Sequence, residues 1–221
     1  MGPIMTRCSL PLLLVGILIA SVEGAAACGN GKLIFEDKFE TLGPSWKVEQ
    51  KYRKLTTGTG GLTITVAPGK DVGALNRSGV YKNFEVCAAF VTKSIKGADD
   101  LFAIRFWTPD GNDEYWAVTW TGKGWFVVNR YENDEPKAIT SQIENSSLLN
   151  DPGETNEVSI KVDDNKGTFS VNGKKVTDFT GQPPENGSLF GFVVSGDKGN
   201  PGPSTFTLKS IQLREVGTDQ P

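Results

Sequence analysis

From Gly31 onward, apolar residues recur at every second position, and no stretch carries the spacing of an amphipathic helix longer than a turn or two. Leu62, Ile64 and Val66 alternate with Thr63 and Thr65, and Phe84, Val86, Ala88 and Phe90 with Glu85, Cys87, Ala89 and Val91. Phe102, Ile104 and Phe106 alternate with Leu101, Ala103, Arg105 and Trp107, and Val158, Ile160 and Val162 with Glu157, Ser159, Lys161 and Asp163. A strand points successive side chains to opposite faces, so each of these runs buries one face and exposes the other. Asn172-Gly173 between two short runs marks a hairpin, because both residues tolerate positive φ. In the last run Phe206 and Leu208 are followed by Ile211 and Leu213, a slip of one position that predicts a β-bulge near Lys209-Ser210. Short strands joined by turns, with no helices between them, fold as an antiparallel sandwich or barrel. No linker, charge block or internal repeat divides the chain.

The first residues have a different character. Arg7 is the only charge before Glu23, Leu10 to Ala20 is an apolar run, and Ala25, Ala26 and Ala27 follow. A positive start, a short apolar core and a small-residue exit form the pattern of a secretory signal. The run is shorter than the roughly 20 residues a membrane-spanning helix needs. The expected organisation is a signal peptide over 1–27, a single domain over 28–215 and a disordered tail over 216–221. The mature chain then begins between Ala25 and Gly29, carries no transmembrane segment, and is periplasmic or secreted. Lipid anchoring through Cys28 is the minority alternative, since three alanines precede it where lipoproteins carry a larger apolar residue. Without the signal two cysteines remain, Cys28 and Cys87. A disulfide between them and an unpaired, buried Cys87 both fit the sequence.

The chain has a net charge of −3, with its lysines and arginines scattered, so no nucleic-acid partner is expected. It contains no histidine, which excludes Ser-His-Asp and Cys-His catalysis and removes the commonest zinc ligand.

Several segments, in order, resemble concanavalin A-like domains. Leu33-Ile34-Phe35-Glu36-Asp37-Lys38-Phe39 with Trp46-Lys47-Val48 is similar to their opening F-x-D-x-F…W stretch. Asn83-Phe84-Glu85-Val86 resembles one of their strands. Gly122-Lys123-Gly124-Trp125-Phe126 running to Asn129-Arg130-Tyr131-Glu132, and Val171-Asn172-Gly173-Lys174-Lys175-Val176, resemble their hairpins. Gly191-Phe192-Val193-Val194 resembles the penultimate strand. The likeness covers nearly the whole mature chain and is strongest to bacterial 3-keto-disaccharide hydrolase-type domains, relatives of laminin G and family-16 glycoside hydrolases. It implies an all-β, antiparallel jelly-roll sandwich. The functions it implies are carbohydrate binding, a glycoside hydrolase or lyase, or an interaction domain without a small ligand.

The residues favour the first. Retaining hydrolysis requires two carboxyl groups about 5–5.5 Å apart, and the family's spaced-acid motif is absent. Glu36-Asp37 and Asp113-Glu114 are adjacent and point to opposite faces, while Glu132 and Asp134 precede Pro136 in a turn. Asp110, Asn112, Asp113 and Glu114 form a loop that offers oxygen ligands to calcium or simply a solvated turn. Apart from calcium, no cofactor is indicated.

Six large aromatics, Trp107, Tyr115, Trp116, Trp120, Trp125 and Tyr131, fall near Arg105 and Arg130. Sugar C–H faces stack on such rings while arginine binds hydroxyls, so an oligo- or polysaccharide is the expected partner. If Phe102, Ile104 and Phe106 face the core, Arg105 and Trp107 face outward. Across the hairpin Trp116 and Trp120 are core, with Tyr115 and Thr119 opposite. The candidate ligand-binding residues are therefore Arg105, Trp107, Tyr115, Arg130 and Tyr131. Arg130 has an equal alternative as one half of a structural ion pair.

Overall fold

The computed structural model describes residues 28–49, 54–94, 100–111, 114–133, 135–144, 147 and 153–216. The expected signal, the tail beyond Val216, and Asn112 and Asp113 of the acidic loop lie outside the described residues.

The strands among the described residues are β1 Leu33–Asp37, β2 Trp46–Glu49, β3 Lys54–Thr56, β4 Leu62–Val66, β5 Asp71–Tyr81, β6 Phe84–Ser94, β7 Leu101–Thr108 and β8 Tyr115–Thr121. They continue with β9 Trp125–Glu132, β10 Glu135–Ala138, β11 Ile143–Glu144, β12 Thr155–Asp163, β13 Lys166–Val171, β14 Lys174–Thr180, β15 Ser188–Ser195 and β16 Ser204–Glu215. Every pair is antiparallel. One sheet runs β14-β13-β12-β6-β16-β4-β3, with β1 also on β16; the other runs β10-β9-β8-β7-β15-β5-β2, with β11 on β9. The architecture is a two-sheet, all-β sandwich.

Alternation decides what lies between the sheets. Phe84, Val86, Ala88 and Phe90 of the first sheet share one buried cluster with Phe102, Ile104, Phe106, Trp116, Val118 and Trp120 of the second. Phe90 stacks on Phe102 at 5.2 Å and meets Trp120 at 4.6 Å, so aromatic rings join the two layers. The bulge lies where the slipped pattern puts it: the β16–β6 register shifts between Leu208 and Ser210, which returns Ile211 and Leu213 to the core. Asn172 and Gly173 close the β13–β14 hairpin with φ of 49° and 74°, the primed turn their side chains permit. The opening motif also has a physical basis. Asp37 accepts bonds from the Phe39 N–H at 2.6 Å and the Trp46 indole N–H at 2.7 Å, holding both rings in the core.

On the outer face of the first sheet a disulfide joins Cys28 to Cys87, with Cα atoms 5.8 Å apart. Glu85 beside it accepts the Gly29 N–H at 2.9 Å. Among the described residues this trio is the one group close enough to share a metal ion, but the disulfide engages both sulfurs.

One expected facing is corrected. Trp107 does not project outward with Arg105; it is 1 % exposed and packs with Phe106, Trp116 and Phe179. The reason lies in the backbone. Trp107 has φ of 44°, a left-handed conformation unusual for a bulky residue, and the β15–β7 register shifts beside it. The alternation breaks there, so Phe106 and Trp107 both enter the core.

Candidate functional site

The candidate residues divide into two adjoining groups around Tyr115. The first lies on the outer face of the second sheet. Strand pairing sets Arg105 opposite Ala117 and Ala117 opposite Asn129, while Tyr115 faces Tyr131 in the neighbouring row. The Tyr115 and Tyr131 rings are nearly parallel, 9° apart, with centroids separated by 4.5 Å. The Arg105 guanidinium sits 3.8 Å from the Tyr115 centroid. Arg105 belongs to β7 and Tyr131 to β9, on opposite flanks of β8, so both faces of the Tyr115 ring are covered. The stack therefore offers ring edges and hydroxyls outward, not the Tyr115 face that the sequence alone offered for stacking. Arg105 itself is buried, which the outward facing did not suggest.

Thr119 and Asn129 lie buried beside the stack, with the Asn129 amide donating to Thr119 at 3.4 Å. Burial pushes the Tyr131 pKa above its ordinary value, while hydrogen bonding with Thr119 opposes the rise. Asp71 adds to the rise, and Arg105 and Asn129 oppose it. Tyr131 therefore remains a neutral phenol at physiological pH, able to donate and accept. The face is a compact set of both functions on a rigid sheet.

The second group forms a cleft of about 310 Å³ at the end of this sheet. Trp107, Pro109, Glu114, Tyr115, Trp116 and Arg130 line it, together with Gln182 to Glu185 from the β14–β15 loop. Arg130 shares the phase of Phe126 and Val128, but at the sheet edge it emerges into the cleft. There it pairs with Glu114 at 3.4 Å and with Glu132 at 3.1 Å, so the structural ion pair is present. Lys137, followed by Arg130, holds the Glu132 carboxyl below its ordinary range.

Gly181 sets how near the loop can come. A β-carbon there would sit 2.5 Å from the rings of Trp107 and Trp116, so only glycine allows the loop to close over them. The Trp107 indole N–H is buried with no hydrogen-bond partner among the described residues. A positive φ and an unsatisfied donor in one residue are each costly, and such strain clusters at functional sites.

Of the residues named from the sequence, Arg105, Tyr115 and Tyr131 lie in one stack, while Trp107 and Arg130 belong to the adjoining cleft. Gln182 and Glu185 were not among those named. The signal available was Gly181-Gln182-Pro183-Pro184-Glu185, a stiff loop opening on a glycine. The acidic loop does not gather its described acids: Asp110 pairs with Arg77 at 3.2 Å, whereas Glu114 turns to Arg130. Three Asn-x-Ser sequons, the acceptor pattern of N-glycosylation, occur at Asn76, Asn145 and Asn186: Asn76 is fully buried and bonded to Ser78, Asn186 is exposed, and Asn145 lies outside the described residues.

No protein-family model and no curated protein sequence matches the chain. Solved structures do match. Carbohydrate-binding module CBM66 from Bacillus subtilis superposes with a TM-score of 0.63 at 12 % identity, over 77 % of this chain and 96 % of that one. The Bacillus licheniformis β-glucanase gives a TM-score of 0.58 at 12 % identity, over 85 % of this chain and all of that one (100 %). The exoplasmic/lumenal domain of VIP36, in a Ca²⁺/Man3GlcNAc-bound form, gives 0.60 at 11 % identity, over 80 % of this chain and 86 % of that one. At these identities the likeness shows the fold, an antiparallel jelly-roll β-sandwich.

Proposed function

We propose that the chain is an exported glycan-binding domain that recognises an oligo- or polysaccharide through the outer face of its second sheet. Arg105, Tyr115 and Tyr131 carry the contact, supported by Thr119 and Asn129, and the cleft at Arg130 and Trp107 continues it. The observation that carries the reading is the Arg105–Tyr115–Tyr131 stack, 3.8 Å and 4.5 Å between neighbours, beside the bonded Thr119–Asn129 pair. Planar donors and hydroxyls held on strands match the alternating donors and acceptors of a sugar without an ordering cost on binding. Similarity to a carbohydrate-binding module supports the reading at the level of the fold. Export rests on residues 1–27; among the described residues no helix is long and apolar enough to cross a membrane.

The test removes hydroxyls and keeps rings. Tyr131→Phe and Asn129→Ala should each weaken glycan binding several-fold, since a hydrogen bond contributes about 0.5–1.5 kcal/mol. Lys174→Ala, exposed on the other sheet, should change nothing. Isothermal titration against glycans selected on an array reads the difference. Equal affinities for all three variants would remove the face from the account.

A second reading has an observation of its own. Glu114 and Glu185 come from different elements and line one cleft, and a hydrolase works with two carboxyl groups in one site. Release of reducing ends from a bound glycan, abolished in Glu114→Gln, would establish it.

A further inference from the structure

The cleft differs from the sheet face in chemistry as well as position. Trp107, Trp116 and the prolines give it apolar walls, and its polar side chains are Glu114, Tyr115, Arg130, Gln182 and Glu185. Arg130 is already neutralised by Glu114 and Glu132, so the remaining charge belongs to Glu185 at the rim. The side chains of Gln182 and Glu185 are exposed and have no ion pair or side-chain hydrogen bond to another described residue. Trp107, in the wall, is 1 % exposed, holds a φ of 44° and has an indole N–H with no partner.

We infer that this cleft is a separate subsite for one or two neutral sugar units, which it discriminates from uronic acids and other anionic sugars. The inference rests on the glycan reading above and names a ligand class for part of it. Size sets the first limit: about 310 Å³ lies at the small end of ligand sites, enough for a mono- or disaccharide and not for a long chain. Chemistry sets the second. The guanidinium and the amide donate, the carboxylates accept, and a hydroxyl does both, so a vicinal diol uses the whole set. A cationic ligand offers donors alone, so it would use the carboxylates and leave the guanidinium and amide N–H groups without an acceptor. An anionic sugar would bring its charge beside Glu114 and Glu185 while the one arginine is already engaged, a mismatch that disfavours it. Proline and indole surfaces pack against the C–H side of the ring.

The test is an NMR titration of the exported protein with a panel of neutral mono- and disaccharides, the matching uronic acids and a lysine-containing dipeptide. Trp107 and Trp116 are two of five tryptophans, and Trp107→Phe and Trp116→Phe identify their indole N–H signals. The expected result is that a neutral sugar shifts both signals and the uronic acids and the dipeptide do not. Glu185→Gln should weaken that sugar about fivefold or more and Arg130→Ala about tenfold or more. Tyr131→Phe, on the face, should leave the small sugar's affinity unchanged while weakening the long glycan. The inference is overturned if no neutral sugar moves the two indoles, if the uronic acid or the dipeptide binds as well, or if Glu185→Gln binds normally. A long glycan that binds through the face while the indoles stay still would overturn the cleft subsite alone.

Discussion

Trp107→Ala should cost roughly 3–5 kcal/mol of folding stability, the range for removing a large aromatic from a close-packed core. The ring is 1 % exposed and contacts Phe106, Trp116 and Phe179 at centroid distances of 5.4, 5.2 and 6.0 Å. Nothing compensates its loss, because alanine keeps the unfavourable φ and leaves a cavity beneath the β14–β15 loop. Trp107→Phe should lose much less. It retains a ring among the same neighbours and removes a buried N–H whose lack of a partner costs about 1–3 kcal/mol. Urea unfolding of the three proteins measures this. A normally stable Trp107→Ala protein would mean that the indole lies outside the core after all, as simple alternation would have it.

Removing the Cys28–Cys87 disulfide should cost about 4 kcal/mol. The bridge spans 59 residues, and in the chain-entropy account a loop of that size lies between the roughly 3 kcal/mol of a 15-residue loop and the 4.7 of a 100-residue one. The expected observation is a lower urea midpoint in reductant and in Cys87→Ser, with the slope showing whether the unfolded state also expands. Glycan affinity should be unchanged, because the bridge lies on the outer face of one sheet and the candidate site on the other. Two thiols titrating in freshly purified, unreduced protein would contradict the bridge. A fall in stability well below 2 kcal/mol would instead mean that the loop is ordered in the unfolded chain.

Trp107 also shows what the sequence does and does not encode. Alternation specifies a facing wherever the strand is regular, which is why Phe102, Ile104, Trp116 and Trp120 are core residues in both readings. It even located the β16 bulge, because apolar residues on both sides of Ser210 report the slip. At Trp107, one residue before the end of β7, the backbone is left-handed, and a tryptophan gives no local sign of that conformation. The facing is then decided by tertiary packing under Gly181, whose close approach is visible only in three dimensions.

The site follows the same division. Arg105 and Tyr115 were legible because hairpin neighbours at matched phase share a face, whereas the alternation of β9 left open whether Arg130 or Tyr131 joins them. The covered faces of Tyr115 were not legible, because whether a ring is free to stack depends on two other strands. Gln182 and Glu185 reach the cleft from a loop far along the chain, a contact no local pattern announces.

The most direct test of glycan recognition by the second sheet is a map of NMR shift changes across the domain on adding the glycan it binds best on an array. The predicted result is a contiguous set of perturbed residues, Arg105, Ala117, Thr119, Asn129 and Tyr131, with Cys87, Ser159 and Gln212 on the other sheet unmoved. Perturbations centred on Cys87, Ser159 and Gln212, or no binding by any glycan on the array, would contradict it.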